Sequence, residues 1–228
     1  MERLSIDNLL RYAKFIHRGA ESDLYELKFL GKKAILKWRR PKPYRLMSLD
    51  EKIRGERVIK EVYIMVKLRS KGLPVPSIFY ACPEEGFFIM EEIEGCILKE
   101  YLTTHSGNSI IDPIATQLGE IVASIHEEDI VHGDLTTSNV IINNEGKLTV
   151  IDFGLSIITD KTEEKAADLD LLYRVLMSTH TKISNRFFNM FIKAYMSRYK
   201  RAEEVYRYFK VIQTMGRYIP KEARYVWH

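Results

Sequence analysis

The chain has 228 residues, a formal net charge of +4, 46% hydrophobic and 29% charged residues. This composition excludes a disordered chain and leaves room for one large domain or two small lobes. The two cysteines, Cys82 and Cys96, are too few for a disulfide framework and stand in no metal-type cluster. No apolar run approaches the ~18 residues of a membrane span, and Met1-Glu2-Arg3-Leu4 lacks a secretory apolar stretch, so the expected compartment is the cytoplasm.

In chain order, residues from about Ala13 to Trp38 read as three strands. Ala13 to His17 leads into the small-residue turn Arg18-Gly19-Ala20-Glu21-Ser22. Tyr25, Leu27 and Phe29 alternate with Glu26 and Lys28, the period of a half-buried strand. Gly31 turns the chain into Ala34-Ile35-Leu36-Lys37-Trp38. The first turn reads either as a plain hairpin turn or as a backbone cradle for phosphate. Lys37 reads either as a snorkelling surface lysine or as a cation held inside.

Residues 32–71 carry fourteen Lys or Arg against four acids. A solvated basic face is the simpler reading for most of them, and a contact surface for RNA or an acidic protein is the sharper one. Aromatic residues are too sparse there to indicate a platform for bases. A helix is predicted over about Leu49 to Ser70, with Ser48-x-x-Glu51 as a capping box and Gly72 and Pro74 as the stop. Val58, Glu61, Met65 and Leu68 share one face. A glutamate in an apolar stripe needs a cation partner, for which Lys37 is the candidate, or sits at the stripe's edge in water.

Val75 to Tyr80 and Phe87 to Ile93 form the next predicted hairpin, through Pro83-Glu84-Glu85-Gly86, and Gly95 follows as a candidate hinge. A short helix is expected around Leu98 to Leu102 and a loop at Thr103 to Asn108. Asp112-Pro113 is expected to start a helix, Asp as N-cap and Pro in the first turn, with Ile114, Leu118, Ile121, Val122 and Ile125 facing inward. Before Gly95 the chain is mostly strands, and after it mostly helices around one hairpin. The expected fold class is α+β: two lobes, 1–93 and 94–228, with a cleft between.

That hairpin carries the strongest functional signal. Val140-Ile141-Ile142 and Leu148-Thr149-Val150-Ile151 flank the turn Asn143 to Lys147. Paired antiparallel, they bring Asn139 and Asp152 to one edge, with Asp134 a few residues away. Two carboxylates and an amide there suit a hard cation such as Mg²⁺. After Gly154 the chain reads as helical, with Leu169, Leu172, Tyr173 and Leu176 on one face and Phe187, Met190, Phe191, Ala194 and Tyr195 on another. Met215 to His228 is basic and aromatic, and reads as a docked tail or a nucleic-acid contact.

The order of these pieces resembles the protein-kinase signature set. Ala34-Ile35-Leu36-Lys37 is similar to V-A-I-K, Asp134-Leu135-Thr136-Thr137-Ser138-Asn139 to the catalytic loop, and Asp152-Phe153-Gly154 is D-F-G. The resemblance implies ATP and Mg²⁺ as cofactors. It implies that Gly19, Ala20, Glu21 and Ser22 cover the phosphates, that Lys37 holds them and pairs with Glu61, and that Met90, Glu91 and Ile93 border the adenine. It further implies that Asp134 takes or orients the proton of the attacking oxygen, that Asn139 and Asp152 hold Mg²⁺, and that Asp168 braces the catalytic loop. His132-Gly133-Asp134 lacks the usual arginine, Thr136 replaces the usual lysine, and little chain separates Asp152 from the helix holding Asp168. Control by loop phosphorylation and a conventional peptide platform are therefore not expected.

Gly19-Ala20-Glu21-Ser22, His132 to Asn139, Lys165-Ala166-Ala167-Asp168-Leu169 and Ser178-Thr179-His180 resemble the small atypical kinase family of the KEOPS complex, the PRPK type. Met215-Gly216-Arg217 partly matches that family's basic tail. The resemblance implies a Mg²⁺-dependent ATPase or atypical serine/threonine kinase serving threonylcarbamoyladenosine modification of tRNA. Its implied partners are a TsaD-like transferase subunit and a small KEOPS subunit, with tRNA on the basic surface and no membrane. A free-standing RIO-like or small-molecule phosphotransferase and a non-catalytic scaffold stand as alternatives.

Overall fold

The computed structural model of the chain describes residues 4–105 and 107–218, with side chains throughout except at Asn108 and 216–218. The chain divides into two compact units between Glu94 and Gly95. Gly95, at φ +149°, lies against the Ile142 carbonyl, where no side chain fits. Of the expected basic tail, Lys221, Arg224, Tyr225 and Trp227 lie outside the described residues.

The first unit opens on α1 (Ile6–Leu10), a short helix that the hydrophobic pattern does not announce. Ser5 caps it, its Oγ accepting from the Asn8 N–H at 3.4 Å. Then follow β1 (Lys14–Arg18), β2 (Asp23–Phe29), β3 (Lys32–Trp38), α2 (Met47–Ser70), β4 (Ile78–Cys82) and β5 (Phe87–Glu91). The sheet order is β1-β2-β3-β5-β4, and each neighbouring pair is antiparallel. Leu36 lies opposite Ile89 and Trp38 opposite Phe87, while the intervening pair is Lys37 with Phe88. Strand side chains alternate, so the first set closes over a core of Leu9, Leu27, Ala34, Leu36, Cys82, Phe87 and Ile89. Lys37 is turned to the other face, where α2 packs. Val58, Ile64, Met65 and Leu68 of α2 are 0–1% exposed, and burial of each contributes about 1.5–3 kcal/mol.

The start of α2 corrects one expectation. Leu46 is the N-cap, no side chain caps it, and the Ser48–Glu51 box does not form because the helix begins before it. Asp50, buried in the first turn, meets the helix dipole instead. It accepts from Arg54 at 2.7 Å and from Arg45 at 3.4 Å. The basic run is also not a solvated face throughout. Arg39 and Arg54 are buried, and Arg40 and Arg57 lean on Asp23 and Glu21.

The second unit contains β6 (Cys96–Ile97), α3 (Leu98–Thr104), α4 (Asn108–Glu127), β7 (Ile130–Val131), a 3₁₀ turn (Thr137–Asn139), β8 (Val140–Ile142), β9 (Leu148–Val150) and β10 (Ile157–Ile158). Helices α5 (Thr162–Thr179), α6 (Ser184–Arg198) and α7 (Ala202–Tyr218) complete it. Two small sheets form, β6-β8-β9 and β10-β7. Helix α4 starts at Asn108 behind Gly107, so Thr103 to Asn108 is less of a loop than expected and Pro113 lies inside the helix. A proline there forfeits one backbone bond and costs about 3 kcal/mol. The burial of Ile111, Ile114, Leu118, Ile121, Val122 and Ile125 along the same helix outweighs it. Asp112 does not cap. Its two oxygens accept from Arg186 of α6 at 2.7 and 2.6 Å.

Candidate active site

In the first unit, Lys37, Glu61 and Arg39 form a buried charged cluster, 4, 1 and 2% exposed. Lys37 Nζ donates to Glu61 Oε1 at 2.7 Å, and Arg39 Nη2 donates to Glu61 Oε2 at 2.6 Å. Buried charges persist only when paired, and here one carboxylate from α2 joins two cations from the end of β3. Arg39 was hidden among the basic residues of the run. Its signal was its position, two residues past Lys37 and therefore directed to the same side of the strand.

Arg39 also reaches the turn between β1 and β2, donating to Glu21 Oε2 at 3.0 Å, while Arg57 pairs with Glu21 Oε1 at 2.5 Å. Burial works against the charge on Glu21, but Arg57 and Arg39 prevail and hold its carboxyl below the usual range. The turn is closed by Gly19 N–H on the Ser22 carbonyl at 2.9 Å. It is tied from outside by Lys42 Nζ on the Ala20 carbonyl at 2.7 Å. At the far end of β5, Glu91 N–H donates to the Ser77 carbonyl at 2.8 Å, and its carboxylate accepts from Ser77 N–H at 3.1 Å. Met90, Glu91 and Ile93 are all half-buried.

In the second unit, the register Val140 to Val150 makes the expected hairpin. Ile151 N–H donates to the Asn139 carbonyl at 2.9 Å, so Asn139 and Asp152 sit at its open end. Asn139 Nδ2 donates to both the carbonyl and Oδ2 of Asp134, each at 2.8 Å. That orientation leaves Asn139 Oδ1 as its lone-pair-bearing end. Asp152 holds φ +62°, a left-handed conformation that costs a non-glycine residue about 1–2 kcal/mol, and its Oδ1 accepts from Gly154 N–H at 3.2 Å. Such strain persists only where surrounding structure imposes it. The neighbouring Phe153, buried, packs its ring 4.9 Å from that of His132.

The loop before Asp134 is braced from below. Asp168 of α5, 2% exposed, accepts from His132 N–H at 2.6 Å and Gly133 N–H at 2.8 Å. His132 fixes its own ring with two bonds: Nε2 donates to the Ile151 carbonyl at 3.1 Å, and Nδ1 accepts from Asp134 N–H at 3.2 Å. Gly133 holds φ +78°, and a Cβ there would lie 2.5 Å from the Leu155 carbonyl oxygen, so the position usually filled by arginine has no room for a side chain.

Two supporting residues, His126 and Ser156, escaped the sequence reading, and a third, His180, stood there only within the motif Ser178-Thr179-His180. His126 donates from Nε2 to Asp168 Oδ2 at 3.2 Å, while its Nδ1 is 2.8 Å from the Tyr195 hydroxyl. Ser156 Oγ donates to the His132 carbonyl at 2.8 Å. His180 Nε2 lies 3.3 Å from Thr137 Oγ1 in the 3₁₀ turn. A lone histidine on a helix and a serine in a short segment carry no periodic signal that would mark them.

A loop held by an internal carboxylate, carrying Asp-x-x-x-x-Asn and followed by Asp-Phe-Gly, is how protein kinases are built, and a protein kinase domain model matches residues 33–182. The chain is 38% identical over 179 residues to the EKC/KEOPS complex subunit bud32 of Dictyostelium discoideum, covering 75% of this chain and 70% of that one. It is 36% identical over 213 residues to the KEOPS complex subunit Bud32 of Pyrococcus abyssi, covering 90% and 96%. It is also 36% identical over 204 residues to a probable bifunctional tRNA threonylcarbamoyladenosine biosynthesis protein of Methanobrevibacter smithii. There it covers 89% of this chain and spans only 36% of that protein's length. The chain belongs to the protein kinase family, in the branch that holds these KEOPS complex subunits.

Proposed function

We propose that the chain is a Mg²⁺-dependent, ATP-using phosphotransferase or ATPase that works as a subunit of a KEOPS-type assembly in threonylcarbamoyladenosine modification of tRNA. The observation that carries the chemistry is the open end of the β8–β9 hairpin. Asn139 turns its amide nitrogen to Asp134 and its oxygen away, and Asp152 stands beside it. Two carboxylates and an amide oxygen fit a hard, oxygen-preferring cation.

Asn139 and Asp152 would hold Mg²⁺, which when bound offsets charge on the transferring phosphoryl group. Asp134, oriented by Asn139 and by its own N–H on His132, accepts or positions the proton of the attacking oxygen. Lys37, kept extended by Glu61, binds phosphate oxygens, and the turn 19–22 covers them. The backbone of Glu91 and Ile93 meets the adenine edge beside Met90. Whether water or a serine or threonine hydroxyl attacks depends on what is brought to Asp134. The chain's alignment to about a third of a bifunctional relative supports work beside a second catalytic unit. A TsaD-like transferase, together with a small KEOPS subunit, is the proposed setting.

The test is Mg²⁺-dependent ATP turnover by the chain alone, then with the TsaD-like subunit, then with tRNA. Asp134→Ala and Asp152→Ala should each lower it by about 10²–10⁴-fold. Wild-type turnover in both variants would overturn the mechanism.

A further inference from the structure

A pocket of about 180 Å³ opens in the first unit between the turn 19–22, the segment after β3 and the early turns of α2. Six cations line it, Arg39, Arg40, Lys42, Arg45, Arg54 and Arg57, against the single carboxylate of Glu21. Glu21 is already held by Arg39 and Arg57, so it does not offset the remaining cations. Asp50 and Asp23, which pair with Arg54, Arg45 and Arg40, are outside the lining. Lys42 bonds a neutral carbonyl, Ala20 O. Arg40 Nε lies 2.9 Å from Asp23 Oδ1, whereas Arg39 Nε is buried with no hydrogen-bond partner among the described residues. Buried donors almost always find an acceptor, and a guanidinium donor left over in a cationic pocket favours an anionic oxygen acceptor.

The rim adds a second feature. Tyr44 lines the same pocket and is 76% exposed, with the Arg45 guanidinium 5.4 Å from its ring centroid. The linear sequence shows too few aromatics for a base platform, but folding sets this one beside the cations. The cavity is smaller than the ~300–1,000 Å³ of small-molecule sites, so it takes one phosphate group and leaves the rest of the ligand outside. A cationic phosphate seat next to an exposed ring is how proteins hold single-stranded nucleic acid.

We propose that this pocket seats one backbone phosphate of a single-stranded RNA segment, with the neighbouring base stacked on Tyr44. The choice of RNA rests on the function proposed above, and the pocket gives that RNA a place on this chain.

The test is fluorescence anisotropy of the full chain with a labelled single-stranded RNA of about 12 nucleotides, without ATP. Wild type should bind, and binding should weaken steeply with salt. Tyr44→Ala should weaken binding about fivefold or more with the salt slope kept, while Tyr44→Phe restores it. Lys42→Glu should weaken binding and flatten the slope by about one. Photocrosslinking with 4-thiouridine RNA should place an adduct on Tyr44. Wild type that does not bind, variants that bind as wild type does, or an adduct confined to other residues would overturn the site. None of those results touches ATP turnover, and loss of turnover in Asp134→Ala leaves RNA binding intact, so the two readings fail separately.

Discussion

Replacing Asp168 by Asn preserves shape but removes a charge that three donors share. Oδ2 accepts from His132 N–H at 2.6 Å and from His126 at 3.2 Å, and Oδ1 accepts from Gly133 N–H at 2.8 Å. An amide has one oxygen. Set on the side with two donors, it leaves its NH₂ facing Gly133 N–H, so one charge-assisted bond worth about 1.5–3 kcal/mol disappears. The other two bonds become neutral and lose about 1 kcal/mol each. Asp168 is 2% exposed, so water cannot substitute. The expected loss is therefore about 3.5–5 kcal/mol, a large share of the ~5–15 kcal/mol of an ordinary domain. In urea unfolding followed by circular dichroism, it should lower the midpoint by about 1–2.5 M, for a slope of ~2–3 kcal/mol/M. ATP turnover should fall below the level set by any unfolded fraction, because the loop holding Asp134 loses its anchor. A midpoint within ~0.3 M of wild type, with full turnover, would refute the brace.

Two further outcomes follow from the same loop. Gly133→Ala places a Cβ 2.5 Å from the Leu155 carbonyl oxygen at φ +78°. The left-handed backbone costs about 1–2 kcal/mol, and Leu155 must also move, next to the Ser156 bond that holds His132. Stability should fall by about 2–3 kcal/mol and turnover by more than about tenfold; an Ala variant as active as wild type would refute the close approach. Burial pushes His126 below its ordinary 6.5, against the pull of Asp168, and burial lowers His180 as well. With the folded pKa below the unfolded one, the contribution of each neutral ring is present above the unfolded value near 6.5 and is lost as pH falls through the folded value. Urea midpoints should thus decline from about pH 7 to about pH 5, and His126→Gln should flatten part of that decline. An unchanged pH profile in His126→Gln would show that His126 does not titrate as described.

Much of the fold was legible because it is local or periodic. The 140–150 hairpin follows from two β-rich runs around a turn, and pairing them places Asn139 beside Asp152 with no knowledge of the rest. The inward face of α2 follows from its spacing, and a glutamate within an apolar stripe already asked for Lys37. Helix starts were less legible. Leu46 and Gly107 begin α2 and α4 without side-chain caps, since buried apolar faces outweigh the weak preferences that favoured Ser48 and Asp112.

By itself, the sequence determined which residue types stand at which spacing: Lys37, Glu61, Asp134, Asn139, Asp152, and a glycine where a kinase loop usually has arginine. Tertiary structure alone decided which charges leave water. Arg39 and Arg40 look alike in the chain, yet one bridges Glu61 and Glu21 while the other holds Asp23. Only packing brought His126 and Ser156 to the loop before Asp134, and Tyr44 to the rim of a cationic pocket. The physical reason is range. Periodicity and turn chemistry act over a few residues, whereas burial and ion pairing depend on partners that meet only when distant elements pack.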